Sequence, residues 1–230
     1  MAKATTESRW LSASTPQAML NCIKAGSRRK LRLFACACCR HIWELISDER
    51  SQKAVIAAEL WADGLLSTAD LRTLQLAAAL AQDEHTTSPA SRFGDATSEA
   101  LCAASAVALP NKAWIWTVAN HMRAAWYAAN GRTKVAMLQA EGAQVRLLRE
   151  IFGNPFRRMA IDPAWAAWHD GAAIKLAHHV YEERAFYCLP DLPETLREAG
   201  CNDAAILDHC RQKEPHVRGC WVVDLLLGKE

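Results

Sequence analysis

Cap and stop signals recur along this chain at the spacing of short helices, and they constrain its fold more than any other feature. Thr15-Pro16 sets an N-cap before a first-turn proline, and the run that follows stops at Gly26. Ser27 opens a segment whose apolar positions Leu31, Phe34, Cys38, Ile42 and Leu45 keep helical spacing. Ser47 or Asp48 starts a helix that reaches Trp61 and stops near Gly64. Ser67 with Asp70 resembles a capping box for the helix carrying Leu71, Leu74 and Leu80. Further helices are expected over 96–109, 111–130 and 132–152. Gly153, free to take positive φ, and Pro155 then force a turn, and Asp162-Pro163 restarts a helix. The run 172–186 is helical again, and two short helices follow, broken at Gly200, with Asn202 capping the second. The stretch 83–95, with small polar residues, Pro89 and Gly94, is expected to be a mobile loop. The tail "WVVDLLL" has no comparable strand to pair with, so a buried helix is expected from after Pro215 to Gly228.

Composition points the same way. Glycine and proline number 10 and 8 in 230 residues, alanine and leucine carry much of the apolar content, and nine tryptophans offer large areas to lock helix packing. The expectation is an all-α, single-domain multi-helix bundle over 1–230, of nine to eleven helices, in which the cysteine-rich first helices and the tail meet in one core. A net charge of +2 gives no field strong enough by itself to argue for DNA or an anionic membrane. Nine cysteines, three of them crowded at Cys36, Cys38 and Cys39 in one helical run, do not make a disulfide framework, which argues for a reducing cytoplasm. The opening "MAKATTESRW" lacks the apolar core of a signal peptide, and no run approaches the ~20 apolar residues of a membrane helix.

The blocks "RKLRLFACACCRHIW", "LLREIFGNPFR", "DPAW", "YEERAF" and "HVRGCWVVDLLLGKE" together resemble a bacterial family of uncharacterised proteins abundant in planctomycete genomes. The resemblance implies a helical bacterial protein whose two terminal regions belong to one unit. It brings no activity, cofactor or catalytic residue.

Four constellations carry chemistry. In "HCRQKEPHVRGCWVVD" the residues Cys210, His216 and Cys220 are candidate zinc ligands, with Cys201, Cys38 or Cys39 as a fourth. His209 and Cys210, adjacent on a helix, point about 100° apart and would rarely share an ion. His216 and Cys220 share a face only if the helix already includes Pro215. A buried structural corner explains the same residues more simply, since free cysteine packs as a small apolar side chain, and it is the preferred reading. Second, Cys36 lies between Arg32 and Arg40 at i−4 and i+4, a setting that lowers a thiol pKa, although "LFACACC" looks like core. The same segment gathers Arg28, Arg29, Lys30 and Arg32 at a helix start, where an anion or nucleic-acid backbone could bind; a salt-bridged surface is the simpler reading. Third, "HHVYEER" spaces His178 from Glu182 and His179 from Glu183 at i, i+4, and His41 with Glu44 could add ligands from another helix; an exposed charge-balanced surface explains these residues better. Fourth, Asp224 is surrounded by apolar neighbours and, if buried, needs a partner such as Arg32, Arg40 or Arg218.

No Gly-rich phosphate loop, nucleophile elbow or His-Glu-x-x-His motif occurs. The leading expectation is a non-enzymatic cytoplasmic interaction or scaffold module with a protein partner. Its alternative is a zinc-binding protein or metal-dependent hydrolase using the C-terminal Cys and His residues. A nucleic-acid-associated factor is the weaker third reading.

Overall fold

The computed structural model describes residues 5–23, 27–89, 91–92, 94–109, 114–213 and 215–229. Among them there is no strand, and the protein is all-α. Thirteen α-helices follow one another: α1 (Thr6–Ser12), α2 (Pro16–Cys22), α3 (Arg28–His41), α4 (Glu49–Ala62), α5 (Thr68–Thr87), α6 (Ala96–Val107), α7 (Trp114–Ala129), α8 (Lys134–Phe152), α9 (Pro163–Ala167), α10 (Ala172–Glu182), α11 (Leu192–Glu198), α12 (Ala204–Cys210) and α13 (Trp221–Leu226). Short 3-10 turns lie at Trp43–Leu45, Trp168–Asp170 and Phe186–Asp191. The count exceeds the nine to eleven expected partly because Thr5 caps a helix, α1, that the spacing does not announce.

The expected caps do their work. The side chains of Thr15, Ser27, Asp48, Ser67 and Asp162 each accept a backbone N–H in the first turn of the helix that follows. The stop expected at Gly26 and the helix start at Asn111 lie outside the described residues. Two boundaries differ. Helix α5 runs through Thr87, into the stretch read as a loop, because Thr86 and Thr87 return their hydroxyls to the Asp83 and Glu84 carbonyls while Glu84 binds Arg50. At α12 the cap is Asp203 rather than Asn202: its carboxylate accepts from Ala205 N and is also held by Arg157 at 2.6 Å.

By their internal contacts the residues gather into two compact units, Met1–Leu148 and Arg149–Glu230. The cysteine helix α3 belongs to the first and the tail to the second. In the first unit α3 packs on α4 and α7, α4 on α5, and α6 on α7. Small residues make the α6 contacts close: Ala100, Ala103, Ala104 and Ala106 are buried. No helix among the described residues is long and apolar enough to cross a membrane.

In the second unit α10 and α13 pack around one core of Tyr181, Val180, Leu189, Leu192, Leu196, Val222, Val223 and Leu226. The tail is helical as expected, but only from Trp221; residues 215–220 form an irregular turn in which Gly219 takes φ +91°. This turn fixes the positions of His216 and Cys220.

Candidate metal centre

Three segments of the second unit converge on one point. The end of α8 carries Glu150 in the apolar run "LLREIF", where Leu148, Ile151 and Phe152 are buried and the carboxylate is drawn in with them. The last turn of α12 presents His209, and the irregular turn presents His216 and Cys220. His216 Nδ1 lies 3.0 Å from Glu150 Oε1, His209 Nε2 lies 3.2 Å from Glu150 Oε2, and the same Nε2 lies 3.2 Å from Cys220 Sγ. One donor atom from each of the four residues falls within 4.8 Å of every other. The side chains of Glu150, His209 and His216 keep only 8, 7 and 4% of their exposure, and Cys220 is fully buried.

Burial sets the charge states. It pushes His209 down to about 4, against the pull of the Glu150 carboxylate, so its imidazole is neutral near pH 7. It holds the Cys220 thiol well above its ordinary value, and Glu150 adds to the effect. The imidazole Nε2 of His216 is buried with no hydrogen-bond partner.

This arrangement is not a nucleophilic triad. In a triad the thiol and the carboxylate hold opposite ring nitrogens, whereas Cys220 Sγ and Glu150 Oε2 both face His209 Nε2. One nitrogen, with one proton or one lone pair, cannot serve both well. A cation at the common point can serve all four, because a tetrahedral zinc site with one sulfur separates its ligand atoms by roughly 3.3–3.5 Å, given Zn–N near 2.0 and Zn–S near 2.3 Å.

The expected metal set was Cys210, His216 and Cys220. His216 and Cys220 are in the cluster, although the helix expected to align them does not include them. Cys210 is not in it; its neighbour His209, set aside in the sequence, takes that place. Only one of two adjacent helical residues can face the point, and Cys210 is buried beside it with its thiol pushed up to about 12, by burial first and then by Glu150 and Cys201. Glu150 has no motif to announce it; its one signal is an acidic residue inside an apolar helix end.

The other candidates fall elsewhere. Asp224 is buried in α13, and Arg218 lies over the Tyr181 ring at 4.3 Å in the same unit. Arg32 and Arg40 act within the first unit instead. Arg32 is buried, donates to the Val107 and Leu109 carbonyls and is brought down to about 10 by burial, while Arg40 makes a two-pronged ion pair with Glu59. Of the four cations at the start of α3, Arg29 is thus turned to Asp63 at 2.8 Å and Arg32 inward, Lys30 is half-buried and Arg28 exposed. Cys36 corrects its own reading: complete burial, with Glu59 and Cys39, holds its thiol well above the ordinary value, and the two arginines do not offset this. His178, His179 and Glu182 are exposed on α10, as is Glu183 at its C-cap. His41 packs on Trp126 at 4.8 Å.

The first unit also has a groove of about 560 Å³ beside α7, lined by Glu99, His121, Arg123, Tyr127, Lys134 and Met137. His121 Nδ1 lies 2.6 Å from a Glu99 carboxylate oxygen, and Arg123 pairs with Glu141 at 3.0 Å.

Comparison of the chain with family models, with curated proteins and with solved structures finds no match.

Proposed function

We propose that the second unit binds one divalent transition-metal ion, zinc by its donor chemistry, as the structural centre of a non-enzymatic helical protein. The observation that carries this is the convergence of Glu150, His209, His216 and Cys220, four buried donors from three segments, on one point. Thiolate and imidazole favour zinc over magnesium or calcium, which take oxygen ligands. Four protein ligands complete a tetrahedron, and all are closed to solvent, so no coordination position is left for an activated water. This favours a structural ion over the metal-dependent hydrolase alternative. Nine free thiols fit a reducing compartment such as the bacterial cytoplasm.

Elemental analysis of protein purified without a metal-binding tag tests the reading. About one zinc per chain is expected, lost in a His216→Ala, Cys220→Ala double variant and reduced in Glu150→Gln. Cobalt substituted at the site should give the intense visible bands of tetrahedral coordination and a thiolate charge-transfer band. Well-folded protein that neither carries metal nor takes up cobalt would sink it.

A second reading concerns a partner. Val135 and Leu138 are 63 and 53% exposed on α8, and Met137 beside them lines the groove of the first unit, which supports a protein-docking face there. Binding lost in Val135→Ser, Leu138→Ser with the metal retained would support it. The inward turn of Arg29 and Arg32 weighs against the nucleic-acid reading.

A further inference from the structure

We infer that metal binding and docking of the tail are one event: the ion is the element that closes the second unit, so the 204–229 segment is held in place only while a cation is bound. This rests on the metal reading above and adds to it a consequence for the fold.

The donors are far apart in sequence, and the cluster joins the end of α8 to segments that otherwise pack into the core of α10, α11 and α13. Glu150 ends α8, His216 is 66 positions on, and Cys220 is 11 positions beyond His209. The turn that supplies His216 and Cys220 is neither helix nor strand, so no regular backbone ladder holds it against α8. Cys220 N bonds the Val217 carbonyl within that turn, and Asp224 N bonds the Cys220 carbonyl at the start of α13, so Cys220 is the residue that hands the turn over to the tail helix.

The next residue, Trp221, lies against both other parts of the site. Its ring is 5.1 Å from that of His209, and it packs so closely on Gly153 that a Cβ there would fall 2.9 Å from the indole. A cation that fixes Cys220 thereby fixes Trp221 against the turn that follows α8. Val222, Val223 and Leu226 then enter the core with Tyr181 and Leu196.

Without a cation the same packing is unfavourable. A carboxylate, two imidazoles and a thiol are withdrawn from water, two of them compete for His209 Nε2, and His216 Nε2 has no partner. A unit of about eighty residues buries a modest core, so a few kcal/mol lost at such a cluster is a large share of its stability. With an ion at the centre, each of these groups becomes a ligand, or a hydrogen-bond partner of one, and the cost turns into a gain.

The test is hydrogen–deuterium exchange on the full chain, stripped by dialysis against a chelator and then titrated with zinc chloride, with bound zinc measured on the same samples. Peptides covering 204–213 and 215–229 should exchange about a hundredfold more slowly at a free zinc concentration one hundred times Kd than without zinc. Peptides from α4 and α6 serve as the internal reference and should not change. In Cys220→Ser the zinc-dependent protection should disappear; if that variant does not fold, the wild-type chain with and without zinc still decides. Stoichiometric zinc with unchanged exchange in 204–229 would overturn this inference while leaving the metal reading intact. No zinc bound by a folded chain would overturn both.

Discussion

At the scale of single residues, burial decides what each cysteine can do. Cys36, Cys38, Cys39, Cys201, Cys210 and Cys220 are buried, while Cys22, Cys102 and Cys188 are partly open. A maleimide added to native protein should label Cys22 and Cys188 first and Cys102 more slowly, its thiol being raised to about 11 by burial and by Glu99 and Asp83. The six buried thiols should react only on unfolding, a pattern read by peptide mass spectrometry; early labelling of Cys36 would contradict the packing of α3. Gly153 gives a second measurement. Its φ of +56° disfavours any side chain, and a Cβ would press on Trp221, so Gly153→Ala should cost roughly 1–3 kcal/mol in urea unfolding. The need for glycine here was legible in "FGNPF", but the tryptophan that presses on it was not, because the two are brought together only by tertiary packing. The candidate centre divides in the same way. Two histidines and two cysteines stand within a dozen positions, and both histidines and Cys220 belong to the cluster. Which of His209 and Cys210 faces it depends on the rotation of α12, and Glu150 comes from a helix more than fifty positions away. Neither was accessible to spacing.

Helices were legible where a polar cap precedes an apolar period, because both signals are local. Ser27, Asp48, Ser67 and Asp162 all cap as their positions imply. What escaped depends on groups from outside the element: α5 overruns its expected end with Glu84 bound to Arg50, and Asp203 displaces Asn202 with Arg157 on its carboxylate. The cap of α4 makes a prediction in acid. The hydrogen bond from the Arg50 guanidinium, with backbone N–H groups of the same turn, holds the Asp48 carboxyl below its ordinary value near 3.8. A depressed folded pKa adds stability that is present above the unfolded value and lost as pH falls through the folded one. Asparagine keeps the cap but not the charge. The difference in Tm between wild type and Asp48→Asn should therefore be largest near pH 6 and shrink steadily below about pH 4. A difference constant across that range would show that the charge contributes nothing.

For the molecule as a whole, all-α architecture followed from composition and punctuation, whereas the division at Arg149 did not, because it falls inside one uninterrupted helix with no linker to mark it. If the second unit alone holds an ion, the two units should unfold differently. Calorimetry with and without chelator is expected to move only one of two transitions, the one that a Glu150→Gln variant also moves; a single transition shifted as a whole would argue that the units melt together. The burial of the four donors has a kinetic consequence. A ligand on a surface exchanges at a rate that rises with the concentration of its competitor, since the competitor can attack the bound ion directly. An ion held as proposed by Glu150, His209, His216 and Cys220 would leave only after the protein opens. Isotopic zinc should then replace it at a rate that reaches a plateau independent of added chelator, and that plateau would be the opening rate of the tail itself.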